Sequence, residues 1–237
     1  MGRSSPLKTV QTTSIHSSAL SERRQDRVSA NVKVKDSYHH GDLRAALITA
    51  ADEIITEKGI EGFSLRAAAQ KAGVSPAAPA HHFGSARGLL TEVAILAYDR
   101  AGRYIESAGH SQDAVTDVRA VMLAFVQFAV ENPGHFRLMF RKDLIDRSDS
   151  RLVTASRGPG KRLGHAVLAY RGKAHPDKAS FEDSAEMLCG MATLHGLASL
   201  VLEEKAAHFF KGATATNFLR EYLPKIIDHM YPVKRAV

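Results

Sequence analysis

The chain has 237 residues, of which 44% are hydrophobic and 24% charged, enough for a globular protein of one large or two small domains. A formal net charge of +7 favours an anionic partner such as nucleic acid or a membrane surface. Cys189 is the only cysteine, which excludes an intramolecular disulfide and favours a cytoplasmic protein. The first segment lacks the apolar core of a signal peptide.

Residues 1–37 are rich in Ser, Thr, Arg and Lys and show no sustained apolar period, so we predict a disordered basic arm. Its seven basic and three acidic side chains leave a net charge of +4, more than half of the excess of the whole chain.

Three helices are predicted within residues 38–84. Lys58 and Gly59 mark the end of the first helix, and the second follows Ser64 and ends at Gly73. The apolar residues of the first helix recur four, three and four positions apart and therefore share one face: Leu43, Leu47, Ala50 and Ile54.

The third helix contains two prolines. Ser75 is its predicted N-cap and Pro76 its first residue, where the missing N–H has no intrahelical partner. Pro79 then becomes the fourth helical residue and is expected to distort the first turn. Gly84 ends this helix and Ser85 caps the next one. A helix, a turn with glycine and a short helix form the helix-turn-helix pattern.

Residues 85–237 read as helices throughout, without alternating strand patterns or internal repeats, so the predicted fold is all-α with two domains. The apolar run Met187–Leu202 is shorter than a bilayer span and is predicted to be a buried helix. "GPGKRLG", residues 158–164, is predicted to be a solvated loop that delays or interrupts a helix. The predicted helices after the turn cover residues 85–107, 113–131, 133 onward, 151–170, 181–206 and 216–230.

Several segments resemble the TetR family of bacterial transcriptional regulators. They are the first helix ending in Lys58-Gly59, "GFSLRAAAQKAGVS", the pair His82-Phe83 and "GSARGLL". "YHHGDLRAAL", "PGHFRLMF" and "LHGLASLVLE" are similar to the branch whose ligand domain is named for a Trp-His-Gly motif.

The chain departs from the family pattern in three places. Pro79 and Ala80 replace a Leu-Tyr pair, Ala86 replaces a lysine, and Met191 replaces the tryptophan of the branch motif. The tyrosine and lysine phosphate contacts of the family therefore cannot be carried over.

The resemblance implies a DNA-binding surface on these helices. Ala77 and Ala78 are small enough for the backbone to approach the major groove and for a methyl group to meet a thymine methyl, or they are merely tolerated there. His81 is the candidate polar base contact or a solvent-facing histidine, and His82 packs or meets a phosphate. The remaining positions flank helix N-termini, which favour anions. The predicted DNA contacts are Tyr38, His39, Ser64, Arg66, Ser75, Pro76, Ala77, Ala78, His81, His82 and Arg87.

Residues 38–90 carry five basic and five acidic side chains and so have no net charge. We therefore expect the basic arm to supply phosphate or minor-groove contacts; an inert tail or a misassigned start is the alternative.

The second domain is predicted to hold an apolar pocket with His195 as its polar group, although such stripes are usually plain core. The pocket would take a small apolar or amphipathic effector. Its predicted lining is Met122, Phe125, Phe128, Phe136, Met139, Phe140, Leu188, Met191 and His195.

Together these features predict a ligand-released, homodimeric repressor that binds a palindromic double-stranded DNA operator in the cytoplasm, without a membrane partner or a cofactor. The alternative is a helical small-molecule binding protein that has lost specific DNA binding. No catalytic or metal-binding motif is recognised, since Cys189 has no base partner and a zinc-type pair of histidines is missing. The helices 181–206 and 216–230 resemble the dimer-forming pair of the family.

Overall fold

The computed structural model describes residues 40–173 and 179–233, with side chains from Leu43 onward. The predicted basic arm (1–37) and the predicted DNA contacts Tyr38 and His39 lie outside the described residues. Within the described ranges every regular element is helical, which confirms the predicted fold class.

Three helices form a head at the start of the described chain: α1 (His40–Lys58), α2 (Leu65–Lys71) and α3 (Ala78–Phe83). Gly59 follows α1 with a φ of 69°, a conformation that glycine adopts without strain. Ser64 caps α2 by accepting a hydrogen bond from the Ala67 N–H. The predicted ends of the first two helices are confirmed.

The start of α3 differs from the prediction. The helix begins at Ala78, with Ala77 as N-cap, and the Ser75 carbonyl instead accepts a turn hydrogen bond from the Ala78 N–H. Ser75 and Pro76 therefore precede the helix. Pro79 lies in the first turn, where a helix has no use for its N–H, and its ring is buried. The predicted distortion at a fourth helical position is thus wrong.

The remaining helices follow the predicted order. Ser85 caps α4 by accepting a hydrogen bond from the Gly88 N–H, as predicted. A π-helical turn, Phe218–Tyr222, joins α9 to α10. The helices are α4 (Ala86–Ser107), α5 (Ala114–Glu131), α6 (Pro133–Met139), α7 (Ser150–Tyr170), α8 (Phe181–Leu202), α9 (Ala215–Asn217) and α10 (Leu223–Met230).

The segment "GPGKRLG" is helical, so the predicted loop is wrong. It lies inside α7, which runs without a break through Pro159. The Pro159 side chain is buried, and a Cβ on Gly102 of α4 would lie 3.9 Å from its Cγ. Packing against α4 therefore holds α7 helical where local propensity predicts a break.

Two hydrophobic cores hold the molecule together. One belongs to the head and the first half of α4, but it also includes Leu138, Ile145 and Leu152 from later in the chain. The other is built from α5 and its neighbours and includes Met122 and Phe128. The head core is therefore completed by residues of the second half of the chain, and α4 contributes to both cores.

The apolar run Met187–Leu202 lies in α8, which begins at Phe181 as predicted, but its predicted burial is wrong for much of its surface. The Phe181 side chain is 82% exposed and that of Leu188 is 68% exposed. Among the described residues α8 is the one helix long and apolar enough to cross a membrane, and 22% of its most apolar window is buried. A largely apolar helix face therefore points outward in the single chain.

Candidate nucleic-acid interface and its connection to the second domain

The outer face of the head is formed by small side chains and histidines. Ala77, Ala80 and His81 are exposed, and His82 is half-buried next to Phe83. Pro79 faces inward, and its side chain is buried. The structure thus presents two methyl groups and one imidazole as the exposed surface of α3 and its N-cap.

Charged groups of the head are mostly engaged within the protein. Lys71 pairs with Glu53 and Glu57 at 3.1 Å and 2.8 Å, and these contacts raise its pKa. Arg66, exposed at the start of α2, makes no hydrogen bond or ion pair with the described residues. Lys58 makes no ion pair with them. Arg66 is therefore the predicted contact that is best placed to meet a phosphate.

Arg87 has a different environment from the one expected of a phosphate contact. Its Nε donates to the Ile145 carbonyl at 3.1 Å and its Nη2 to the Lys142 carbonyl at 2.8 Å. These bonds tie the first turn of α4 to the segment after α6. Its contact with DNA stays a prediction.

A buried polar cluster, which we call the joint, connects the head to the second domain. It consists of Asp52 on α1, Arg100 on α4 and His135 on α6. His135 Nε2 lies 2.7 Å from Asp52 Oδ1, and Arg100 Nη2 donates to Asp52 Oδ2 at 3.0 Å. The His135 side chain is 1% exposed and that of Asp52 18%. Three helices thus meet at one carboxylate.

The electrostatics of the joint favour the ionised carboxylate. Burial acts to raise the pKa of Asp52, but the hydrogen bonds from His135 and Arg100 outweigh burial and leave that pKa below its ordinary value. The folded protein therefore stabilises the charge of Asp52 more than water does.

Three further contacts reinforce this connection. Glu92 of α4 pairs with Arg44 of α1 at 2.7 Å and with Arg151 of α7 at 2.5 Å. At Gly134, a Cβ would lie 2.5 Å from the Ile55 carbonyl oxygen, so α6 packs against α1 backbone to backbone. Both α4 and α6 are thus in direct contact with the head.

The residues predicted to line an effector pocket divide into three groups. Met122, Phe125, Phe128, Phe136 and Met139 are buried in the core, whereas Phe140 and Leu188 are exposed and Met191 is half-buried. Phe136, Phe140 and His195 meet in one aromatic cluster, with ring centroids 4.4–5.3 Å apart.

Within this cluster His195 Nδ1 is buried without a hydrogen-bond partner among the described residues. The pocket itself stays a prediction.

Sequence reasoning missed the joint. The signal that could have found it is a polar residue, Asp52, directly beside the buried Ala51 on an otherwise apolar face of α1. Its partners come from positions 48 and 83 residues further along the chain, which no local pattern reveals.

The fold and the exposed face of α3 define a helix-turn-helix protein with a helical second domain. Residues 47–93 match the model for bacterial regulatory proteins of the tetR family, and residues 118–220 match the model for the tetracyclin repressor-like C-terminal domain. Together the two matches cover more than half of the chain. The chain belongs to the TetR family, a family of regulatory proteins.

Individual relatives agree with this assignment. An uncharacterised HTH-type transcriptional regulator of Bacillus subtilis, YobS, is 25% identical over 102 residues, which is 43% of this chain and 53% of YobS. The chain thus spans about half the length of this curated relative.

Solved structures share the fold over most of the chain. A protein of unknown function from Rhodococcus sp. RHA1 is 27% identical with a TM-score of 0.62, covering 82% of this chain and 98% of that one. The TetR-family regulator PfmR of Thermus thermophilus is 22% identical with a TM-score of 0.54, covering 81% and 98%.

Proposed function

We propose that the protein is a homodimeric transcription regulator, a ligand-released repressor in the cytoplasm, that binds a palindromic DNA operator through α3. The observation that carries this proposal is the exposed surface of α3 and its N-cap, formed by Ala77, Ala80 and His81 after the turn at Gly73. An α-helix with small side chains fits closely into a major groove, where methyl groups meet thymine methyls. His81 would supply the polar base contact.

Phosphate binding needs more than the described head offers. Of the described basic side chains of the head, Arg66 and Lys58 are the two without an ion pair. Arg87, in the first turn of α4, donates hydrogen bonds to two backbone carbonyls. The basic arm, with its charge of +4, would therefore add phosphate or minor-groove contacts. A small apolar or amphipathic effector would act through the second domain, and the joint would transmit its effect.

The exposed apolar face of α8 supports the proposed dimer. Phe181, Leu188 and Ala192 are exposed in the single chain, and an apolar face of this kind marks an interaction site. A second copy would bury it with two-fold symmetry, which places two α3 helices in successive major grooves about 34 Å apart.

Fluorescence anisotropy with DNA that flanks the gene, against scrambled DNA at two salt concentrations, tests DNA binding. Arg66→Glu is expected to weaken specific binding at least tenfold and to reduce its salt dependence, because a phosphate contact is replaced by repulsion. Arg157→Glu reverses an exposed charge on α7 and is the control. Its affinity for DNA should stay within about threefold of the wild-type affinity once the general effect of the lower net charge is subtracted.

Two comparisons decide between the alternatives. A chain that lacks residues 1–35 should show a smaller salt slope, and an unchanged slope would remove the arm from the interface. Equal, weak binding of the intact protein to both DNAs at every salt concentration would instead favour the helical small-molecule binding protein.

Leu188→Glu is expected to convert the dimer into a monomer, because two carboxylates would be buried opposite each other on α8. Sedimentation velocity measures the mass directly. Leu96→Glu places the same charge on an exposed apolar residue of α4 and should leave the dimer intact. A Leu188→Glu protein that still sediments as a dimer would contradict the proposed interface.

A further inference from the structure

A cleft of about 360 Å³ lies between α4 and α7, apart from every residue of the predicted effector pocket. Tyr98, Gly102 and Ile105 contribute from α4, and Gly158 and Pro159 from α7. The "GPGKRLG" segment, which has no part in the proposed DNA interface, therefore forms one side of a cavity large enough for a small molecule.

Pro159 leaves an acceptor in this wall. Proline has no N–H, so the carbonyl of Ala155, four residues earlier and also in the wall, receives no helical hydrogen bond from position 159. A helix interior normally satisfies every carbonyl, and a carbonyl released in a cavity is available to a ligand donor.

Arg162, also in the wall, offers an unused donor. Its Nη1 and Nη2 bind Asp117 at 2.9 Å and 2.6 Å, whereas its Nε is buried without a hydrogen-bond partner among the described residues. Since buried N–H groups are almost always paired in folded proteins, this one marks a place where an acceptor is missing. The Asp117 carboxylate already balances the guanidinium charge, so the acceptor need not be an anion.

The other charges of the cleft disfavour an anion. Asp99 and Glu106 outnumber Arg103, and the charge of Arg162 is balanced by Asp117. Gly158 keeps the cavity open, because a Cβ there would meet no atom within 4 Å.

We propose that this cleft binds a small neutral molecule that carries a hydrogen-bond acceptor and a donor on an apolar ring. The acceptor meets Arg162 Nε–H, the donor meets the Ala155 carbonyl, and the ring packs on Tyr98 and Pro159. The site is separate from the aromatic cluster around His195.

Binding here would also change the contact between α4 and α7. Towards the head, Glu92 and Arg151 of the same two helices form an ion pair. An effect of this site on DNA affinity rests on the proposed function, whereas binding in the cleft does not.

The test uses the full-length protein and two probes, 2-pyridone and benzamide, with toluene as an apolar ring that lacks both polar groups. Nitrogen-15 spectra report the Arg162 Nε–H and the Gly158 amide during titration. We expect saturable shifts of both signals with the two polar probes and none with toluene.

Two matched variants locate the site. Gly158→Leu fills the cleft and is expected to weaken probe binding at least tenfold, whereas Gly160→Leu makes the same change outside the cleft wall, also with no atom within 4 Å of the added Cβ. Pro159→Ala restores the helical N–H to the Ala155 carbonyl and should weaken binding as well.

Absence of saturable shifts, equal binding of toluene, or equal affinity of the Gly158→Leu and Gly160→Leu proteins would overturn the proposal. The same probes in the anisotropy assay separate the two hypotheses. Saturable probe binding to a protein that does not bind DNA specifically would leave the cleft standing and remove the proposed function.

Discussion

The Asp52→Ala protein is expected to lose about 2–4 kcal/mol of its free energy of unfolding, because the substitution leaves Arg100 and the buried His135 without their common acceptor. Urea denaturation of the two proteins measures the difference. Asp99→Ala removes an exposed carboxylate from α4 and should change the free energy by less than about 0.5 kcal/mol.

The Asp52→Ala substitution is also expected to affect the head. Asp52 holds α1 to α4 and α6, so its removal should weaken DNA binding even at temperatures where the protein stays folded. An Asp52→Ala protein as stable as the control would mean that the joint contributes nothing net, as some buried ion pairs do.

The pH dependence of stability follows from the same carboxylate. Its pKa is lower in the folded protein than the ordinary value near 3.9, so its contribution is present in full above that value. The contribution is lost as the pH falls through the folded pKa, below which the carboxylate is protonated in both the folded and the unfolded state. The stability difference between wild type and Asp52→Asn should therefore be smaller at about pH 3 than at about pH 5.

Gly88→Ala is expected to destabilise the protein by about 3 kcal/mol and to abolish specific DNA binding. A Cβ on Gly88 would lie 2.1 Å from the Phe83 carbonyl oxygen, a backbone atom that cannot rotate away. The first turn of α4 would have to move away from the end of α3. Thermal unfolding and anisotropy measure the two effects.

The control for this substitution is Gly160→Ala. Its Cβ meets nothing within 4 Å, and alanine in place of glycine in a helix should add about 1 kcal/mol of stability. Gly134→Ala, with its Cβ 2.5 Å from the Ile55 carbonyl oxygen, should behave like Gly88→Ala in stability. If Gly88→Ala, Gly134→Ala and Gly160→Ala all stabilised the protein, the close backbone contacts at positions 88 and 134 would be contradicted.

Much of the helical order follows from local chemistry. Several of its signals depend only on residues a few positions apart in the chain. They are the caps at Ser64 and Ser85, the positive-φ glycines 59 and 84 and the apolar stripe of α1. Of the exposed residues at α3, Ala77 and His81 were predicted from the same pattern, whereas Ala80 was not, and the predicted contact Ala78 is half-buried. The first residue of α3 was not predicted, because Ser75 followed by Pro76 is an equally good helix start when only propensity is counted.

Tertiary contacts decided the rest. The sequence by itself determined an all-α chain, a helix-turn-helix near its start and its family, because helix caps and periodicity depend on residues a few positions apart. Only the folded structure showed that α7 continues through Pro159, that α8 faces outward and that Asp52 meets Arg100 and His135. Each of these depends on burial against residues distant in the chain, and burial is a property of the packed molecule.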